Sequence, residues 1–488
     1  MNGGLTKKVG IIGSSRLVAT SVTVLVVSMF LSRHLDRALY GTFQQTWFFT
    51  NMCIEIALLG FPVGILYFGP KLTPGERKGF LIRVTALLAL VGALLALGLF
   101  LGAPFVARTF RNPMLLGTLR TFALYALFVV PGMPMDAFLI TQNRHRLLGV
   151  VTIAHSAVLV AAVFLPALLG LALSAILWSL VGYGLVRAGL LLGASAHTVA
   201  GVAAETKPGL LRAFVGYSLP VALNDLLRIL ARWLDKNIVS AFFNPETFAI
   251  YANGAVEIPF VNVLAGAISS VVIPEFSRLS EEGKKEEMLA LWHRAILKAG
   301  AILIPLFAFL MVLAVPFLVF LFSSAYADSA GPFRVYLLLL PLRSATYTPV
   351  LLALGRSKLV AAVALVDVLA NLGLSILLIP RFSYLGPAIA TVIATYAQAI
   401  FYLVVTSKLL GVPWRSVFPW GGAGRLLGLA LLPALPLVAL ARLPLGPFPL
   451  LALGSVLYFF PAALLLWRFG PLTATDKDSL LRLARLKR

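Results

Sequence analysis

The stretch from Tyr217 to Tyr251, YSLPVALNDLLRILARWLDKNIVSAFFNPETFAIY, decides the fold of this chain. It is apolar enough to enter a lipid bilayer, yet it carries five charged side chains: Asp225, Arg228, Arg232, Asp235 and Lys236. At about 100° per residue, these side chains fall within an arc of roughly 100° on one face of a helix. Since a charged group at membrane depth costs on the order of 2.5–3.5 kcal/mol, this face is expected to contact protein or a water-filled cavity.

Two explanations of the charged face remain open. The first is a salt-bridged helix end, because Asp225–Arg228 and Arg232–Asp235 are pairs of opposite charge three residues apart. The second is a binding surface, because three cations against two anions leave a positive excess on that face.

The composition is that of an integral membrane protein. The 488 residues are 60% hydrophobic and only 12% charged, and the mean hydropathy is +0.97. The single cysteine, Cys53, excludes an intrachain disulfide and a cysteine-based metal site. The net charge of +22 is spread through short loops between apolar runs, which is the positive-inside pattern of membrane proteins, so no nucleic-acid partner is expected.

Fourteen apolar runs have about the 20 residues that a helix needs to cross a bilayer. The sequence therefore predicts an all-α polytopic membrane protein with 14 transmembrane helices. The runs lie at about 11–32, 41–68, 80–104, 116–140, 147–169, 171–194, 213–242, 247–274, 294–322, 332–354, 358–380, 386–409, 425–442 and 448–468.

The distribution of basic residues predicts the orientation of the chain. With an even number of spans both termini lie on one side, and 28 of the 40 Lys and Arg residues then lie on that side against 9 on the other. The remaining 3 are in mid-span. This asymmetry places both termini in the cytoplasm.

An internal repeat is visible at a constant offset of 212 residues. The matched pairs are Arg16 with Arg228, Pro62 with Pro274, Pro104 with Pro316, and Arg144 with Arg356. Each copy holds six spans, so the copies are expected to be pseudo-symmetric lobes around a central cavity. The predicted domains are an N-terminal lobe at 1–204, a C-terminal lobe at 205–409, and two extra helices with a cytoplasmic tail at 410–488.

Several motifs resemble those of polysaccharide flippases, the oligosaccharide-lipid branch of the multidrug/oligosaccharidyl-lipid/polysaccharide exporter superfamily. The resemblance extends from the N-terminus to about residue 409. One departure is Asp36-Arg37, where many relatives have glycine and acidic residues. The motifs are SRHLDRALYGTF at 32–43, YSLP at 217–220, IYANGAVEIP at 250–259, LGRSK at 354–358 and PRFSYLGPAIAT at 380–391.

The resemblance implies a flippase of the cytoplasmic (inner) membrane that serves polysaccharide biosynthesis. It would translocate an undecaprenyl-pyrophosphate-linked oligosaccharide from the cytoplasmic to the outer leaflet by alternating access, and it would not be an enzyme. The implied partners are the lipid-linked glycan and membrane lipid, with a glycan polymerase or other polysaccharide-assembly proteins as further candidates.

Arginines are the predicted substrate-binding residues, because a planar guanidinium donates paired hydrogen bonds to phosphate and stays charged when partly buried. By the repeat, Arg16 and Arg228 occupy equivalent positions in the two lobes. Arg232 lies one turn beyond Arg228, and Arg343 lies in mid-span. The alternatives are a cytoplasmic anchor for Arg16 and a packing partner of a carboxylate for Arg343.

Carboxylates within the spans are predicted to be counter-ions of the arginines or sites of ion coupling through H⁺ or Na⁺. The counter-ion candidates are Glu55, Asp136, Asp225 and Asp235. Asp367, with Asn371 one turn further on, has no basic residue within a turn and is the best ion-coupling candidate.

Other sequence patterns limit the mechanism. There is no G-x-x-x-x-G-K-[ST] loop, so ATP is not expected as the direct energy source, and no spacing predicts a metal site or a cofactor. Two alternative functions are a multidrug exporter of the same superfamily, which would need a more apolar cavity, and a membrane glycan polymerase or ligase. The latter would be expected to have a large external loop, whereas the external loops here are short.

Overall fold

The computed structural model describes residues 26–58, 60–256 and 258–471. Within these ranges the secondary structure is helical and contains no β-strand. The contacts divide the chain into two compact units, Met1–Ala252 and Asn253–Arg488. The predicted class, an all-α polytopic membrane protein, is confirmed, while the lobe boundary after residue 204 and the count of 14 spans stay predictions.

The first unit is built from long helices joined by short connections. A short 3₁₀ turn, Gly69–Lys71, follows the third helix. The helices are α1 (Val27–His34), α2 (Arg37–Ala57), α3 (Phe61–Phe68), α4 (Pro74–Thr109), α5 (Leu115–Gly132), α6 (Met135–Thr141), α7 (His145–Leu168), α8 (Leu173–His197), α9 (Leu210–Phe242) and α10 (Pro245–Gly254), whose last residues cross the boundary between the units.

The second unit has more interruptions. Its 3₁₀ turns are Ser324–Ser329 and Ser383–Leu385. The helices are α11 (Pro259–Glu281), α12 (Lys285–Val312), α13 (Ala314–Phe322), α14 (Ala330–Leu337), α15 (Leu339–Leu342), α16 (Thr348–Ala353), α17 (Ser357–Phe382), α18 (Gly386–Leu410), α19 (Trp414–Val417), α20 (Trp420–Leu431), α21 (Ala434–Leu440) and α22 (Pro447–Phe469).

Nine helical segments of the described chain are long and apolar enough to cross a membrane, and a tenth is the bent pair 210–222 and 226–242, whose parts meet at 47°. Several predicted spans are interrupted helices. The run predicted at 332–354 forms α14, α15 and α16, and Pro349 is the second residue of the last of these. Proline lacks the backbone N–H that a continuous helix requires, so it favours a break. Hydropathy does not detect this missing donor, and hydropathy alone therefore predicts one uninterrupted span there.

Helix α4 shows how local sequence sets the position of a span. Thr73 caps its N-terminus by accepting a hydrogen bond from the backbone N–H of Glu76, whose side chain in turn accepts one from the Thr73 N–H. This reciprocal arrangement satisfies two N–H groups that a helix start leaves unpaired. The apolar run that follows buries one face, which includes Val84 and Leu88.

The two units share a structural detail at an offset of 207 residues, which differs from the 212 of the sequence repeat. Lys78 in α4 donates to the Val202 carbonyl at 2.7 Å, and Lys285 in α12 donates to the Leu409 carbonyl at 3.2 Å, each across 124 residues. In the predicted topology, each lysine lies near the cytoplasmic start of a long helix. Each one hydrogen-bonds to a backbone carbonyl near or after the end of a later helix. Two helix starts in the second halves of the repeat do show the offset of 212, since α7 begins at His145 and α17 at Ser357.

Candidate functional site

The candidate site lies in the first unit, where α9 packs against α2 and α3. Gly60, between α2 and α3, adopts a left-handed backbone with φ of 68°, which an L side chain rarely adopts. A side chain at Gly60 would also press against the Ser218 carbonyl of α9. Glycine at this position therefore permits both the break between α2 and α3 and the close approach of α9.

A cavity of about 470 Å³ lies between these three helices. This volume is within the range of small-molecule binding sites. Its wall is mainly apolar, with three charged side chains among the described residues. The lining residues are Glu55, Ile56, Leu58, Gly60, Pro62, Val63, Leu219, Ala222, Leu226, Arg228, Ile229 and Arg232.

Arg232 pairs with Glu55 across the cavity. The Arg232 Nη1 and Glu55 Oε1 atoms are 3.4 Å apart, and the two side chains are 37% and 27% exposed. Trp233 Nε1 donates to the other carboxylate oxygen of Glu55 at 3.2 Å. Exposed ion pairs of this kind stabilise a protein by roughly 0.2–1 kcal/mol, so Arg232 can exchange Glu55 for another anion at little cost.

The described residues that line the cavity include more basic than acidic side chains. Arg228 and Arg232 both line it, and Glu55 is the acidic residue among the described lining residues. Lys236, one turn beyond Arg232, lies with its Nζ atom 5.3 Å from the centre of the Trp233 ring. The site therefore combines apolar walls with two guanidinium groups, which suits a ligand that is partly apolar and carries a multivalent anion.

The predicted site residues of α9 separate in the structure. Arg228 and Arg232 face the cavity, whereas Asp235 is 4% exposed and accepts a hydrogen bond from the Tyr251 hydroxyl at 2.8 Å. The Asp225 side chain and all of Arg16 lie outside the described residues. Since Arg232 pairs with Glu55, the partner of Arg232 is a residue of another helix, and the proposed role of Asp235 stays a prediction.

The ion-coupling candidates lie in the second unit, on α17. Asn371 is buried and donates to the Thr391 hydroxyl of α18 at 3.2 Å, and it accepts from Ser375 at 3.2 Å. Asp367, one turn before, is half-buried, and its Oδ1 atom has no hydrogen-bond partner among the described residues. The phenol of Tyr402 lies within electrostatic reach of this carboxylate. The carboxylate of Asp367 thus lies one helical turn from the amide of Asn371, which hydrogen-bonds to two hydroxyl groups.

The remaining predicted residues occupy other places. Arg343 is half-buried at the end of α15 in the second unit. Asp136, in α6, lies near Arg187 of α8, whose guanidinium also interacts with the hydroxyls of Tyr125 and Tyr183. Sequence reasoning missed Arg187 because it lies within ten residues of the end of α8, where a basic residue is ordinarily a cytoplasmic anchor. No group of three or more His, Cys, Asp or Glu side chains able to hold a metal occurs in the described ranges.

This helical architecture is similar to that of membrane transporters of known structure. The chain is similar to the lipid II flippase MurJ in an inward closed conformation, with a TM-score of 0.72 and 15% identity over 94% of this chain and 99% of that one. It is also similar to an inward-facing multidrug resistance MATE family transporter, with a TM-score of 0.65 and 15% identity over 80% and 94% of the two chains. At this identity the likeness shows the fold.

The family follows from the sequence comparison. Residues 77–331, slightly more than half of the chain, match the family described as polysaccharide biosynthesis protein, and the chain belongs to this family. A curated relative, an uncharacterized membrane protein of Methanocaldococcus jannaschii, is 26% identical over 207 residues, which is 41% of this chain. The matched region spans 40% of the length of that relative.

Proposed function

We propose that this protein is a flippase that translocates a lipid-linked oligosaccharide, attached through pyrophosphate to an undecaprenyl carrier, from the cytoplasmic to the outer leaflet. The observation that carries this proposal is the cavity in which Arg228 and Arg232 share a mainly apolar wall with Glu55. Membership of the polysaccharide biosynthesis protein family supports the substrate class. The protein acts in the cytoplasmic (inner) membrane with both termini in the cytoplasm.

The chemistry of the cavity fits the junction of such a substrate. A lipid-linked glycan has a hydrocarbon chain that remains stable in lipid and a charged pyrophosphate that does not. Leu219, Leu226 and Ile229 provide apolar contacts for the carrier, while the guanidinium groups of Arg228 and Arg232 replace the water that the pyrophosphate loses. Arg16, which the sequence repeat pairs with Arg228, would supply a further cation.

Glu55 has a defined role in this proposal. Without substrate, its carboxylate neutralises Arg232 through the 3.4 Å pair. When the pyrophosphate enters, Arg232 exchanges a weakly held carboxylate for a multivalent anion, so binding does not require a deeply buried ion pair to break. Glu55 therefore offsets the charge of Arg232 until the substrate binds.

Transport requires an energy source, and we propose coupling to a gradient of H⁺ or Na⁺ through Asp367 and Asn371. The Oδ1 atom of Asp367 has no hydrogen-bond partner among the described residues, and Asp367 lies one helical turn before Asn371, which bonds to Thr391; these groups are proposed to take up a proton or a small cation. Asp136 and Asp235 are proposed as fixed counter-ions of the fold. Arg343 is proposed as a further substrate-binding residue.

A second candidate function is export of an organic cation. It is favoured by the carboxylate of Glu55 in the cavity and by the MATE-like fold. The two functions predict opposite effects at the same residues. A cation exporter needs Glu55 and tolerates loss of the arginines, whereas a pyrophosphate flippase needs the arginines and tolerates a neutral residue at 55.

The experiment measures translocation of a fluorescent undecaprenyl-pyrophosphate-linked oligosaccharide in proteoliposomes that contain wild-type protein, Arg228→Gln or Arg232→Gln. Removing a cation from a partly exposed anion site costs about 2 kcal/mol, which is roughly a 30-fold loss of affinity. Arg→Lys at either position keeps the charge but loses the paired donors, so it should restore transport only in part. Arg108→Gln is the matched control, because Arg108 is exposed on α4 and does not line the cavity.

Three results would contradict the proposal. The first is unchanged transport by both glutamine variants. The second is transport of organic cations that depends on Glu55, which would establish the exporter. The third is near-normal translocation by Glu55→Gln combined with Arg232→Gln, because the arginine would then be only the partner of the glutamate. Polymerisation of the glycan by the purified protein would instead identify an enzyme.

A further inference from the structure

Two tyrosines stack on each other close to the cavity and are not used by the proposed function. Tyr67 in α3 and Tyr217 in α9 have ring centroids 4.4 Å apart and ring planes inclined by only 12°. Phe68 meets the Tyr217 ring edge-on, with centroids 5.8 Å apart. Tyr67 is 44% exposed, so part of this aromatic surface, which two helices form, is accessible to a ligand.

Glycine brings the two rings together. Gly64, one turn before Tyr67, faces the hydroxyl of Ser218 and the ring of Phe214, and a methyl group at position 64 would overlap both. Gly60 allows the same close approach one turn earlier. Because α3 and α9 approach so closely here, the side chains one turn further along must lie in contact. The stacked pair is therefore built on the same helix crossing as the cavity.

The polar edges of the pair are available. Neither the Tyr67 nor the Tyr217 hydroxyl hydrogen-bonds to another group in the described ranges of the chain. The Nζ atom of Lys71 lies 3.2 Å from the centre of the Tyr67 ring and covers the face that Tyr217 leaves open. Lys71 is exposed, and a cation on an aromatic ring at an exposed position is held weakly. Its ammonium group can therefore be displaced.

The pair lies beside the cavity, toward the cytoplasm in the predicted topology. Tyr67 is one turn after Val63, which lines the cavity, on the same face of α3. Tyr217 precedes Arg228 by eleven residues, which is about 16 Å measured along the helix axis, and the axis bends by 47° between residues 222 and 226. A pyrophosphate held at Arg228 would thus place a sugar of a short oligosaccharide, rather than the sugar attached to the phosphate, at the tyrosines.

We infer that Tyr67 and Tyr217 form a sugar-binding platform that receives a ring of the glycan, with Lys71 as a displaceable cover. This inference rests on the proposed function. The C–H face of a pyranose stacks on an aromatic ring, and the two phenol hydroxyls hydrogen-bond the sugar hydroxyls. Such a platform recognises the presence of a glycan on the carrier, because lipid pyrophosphate without sugar reaches the arginines but not the tyrosines.

The test compares the binding of two kinds of probe by purified protein in nanodiscs. One probe is undecaprenyl pyrophosphate, and the others are the same lipid carrying a glucose or an N-acetylglucosamine trisaccharide. Wild-type protein should bind at least one glycosylated lipid about tenfold more tightly than the sugar-free lipid. Tyr67→Ala or Tyr217→Ala should reduce that advantage to within about twofold and leave the affinity for the sugar-free lipid unchanged.

Three further variants test whether the loss of advantage is specific to the stacking surface of the two tyrosines. Tyr67→Phe keeps the stacking surface and should keep most of the advantage, and Lys71→Ala removes only the cover and should not reduce it. Trp178→Ala is the control for an exposed aromatic side chain, since Trp178 is 55% exposed on α8 and outside this cluster. Unchanged binding of the sugar-free lipid shows that each variant is folded.

The outcomes separate the inference from the proposed function. If wild-type protein binds sugar-free and glycosylated lipids equally, or if Tyr67→Ala weakens both equally, the platform is refuted and the flippase proposal stands. The tyrosines would then be interfacial packing residues. If no pyrophosphate lipid binds, the proposed function fails and the platform with it.

Discussion

The linker at residues 198–209 connects α8 to α9 and is held against the start of α4. A substitution at Gly79 tests the strength of this contact. The Glu205 N–H donates to the Gly75 carbonyl at 3.0 Å, and Lys207 pairs with Glu76 at 3.0 Å. A methyl group at Gly79 would overlap the Glu205 carbonyl oxygen. The Gly79→Ala change therefore forces the linker off α4, whereas Gly98→Ala on the same helix meets no atom within 4 Å.

The change in the free energy of linker detachment depends on two opposing contributions. Alanine stabilises a helix by about 0.5–1 kcal/mol relative to glycine, and both variants gain this amount. Overpacking against backbone costs about 1–3 kcal/mol, and only Gly79→Ala bears this cost. Local detachment of the linker should thus become easier by about 1–3 kcal/mol in Gly79→Ala than in Gly98→Ala, which corresponds to a roughly 5- to 150-fold larger population of the detached form.

Cleavage by the protease Glu-C after Glu205 measures that population, because under fast opening and closing the cleavage rate follows the fraction of open molecules. Gly79→Ala should be cleaved faster than Gly98→Ala by the stated factor, while the thermal transitions of the two proteins show that both are folded. Equal cleavage rates would refute the reasoning, since the linker would then not be held by its contact with Gly79.

Three other predictions follow from the topology, the energy source and the buried charges. A cysteine placed at Ser280 should react only with membrane-permeant reagents and one at Ala327 with impermeant ones; labelling of Ala327 only after permeabilisation would show that the span count is wrong. Flipping should proceed without ATP and respond to an H⁺, Na⁺ or voltage gradient, and Asp367→Asn should weaken that response more than substrate binding; strict ATP dependence would exclude this mechanism. Arg187→Met should lower the free energy of unfolding by about 1–3 kcal/mol, because it leaves Asp136 without that positive charge and the two tyrosines without that donor; adding Asp136→Asn should restore part of the loss in a thermal unfolding assay, and no recovery would argue against their interaction.

The sequence was sufficient for the class of protein and for one wall of the candidate site. Hydropathy over about 20 residues determines which segments enter a bilayer, and it needs no knowledge of their neighbours. The periodicity of a helix placed Arg228 and Arg232 on one face, and the structure puts both in one cavity. Family membership was also readable, since the turn that contains Tyr40 and Gly41 and the YSLP motif are local patterns.

The partners of those residues depended on tertiary structure. Arg232 pairs with Glu55, 177 residues away, although Asp235 lies three residues further on. The stacking of Tyr67 on Tyr217 and the contact of Gly79 with Glu205 likewise join distant segments. Spacing within a helix cannot specify such pairs, because they depend on where two helices cross and how closely their backbones approach. The sequence by itself determined a membrane transporter fold with arginines on one helical face, and only the packing of α2, α3 and α9 decided which groups those arginines meet.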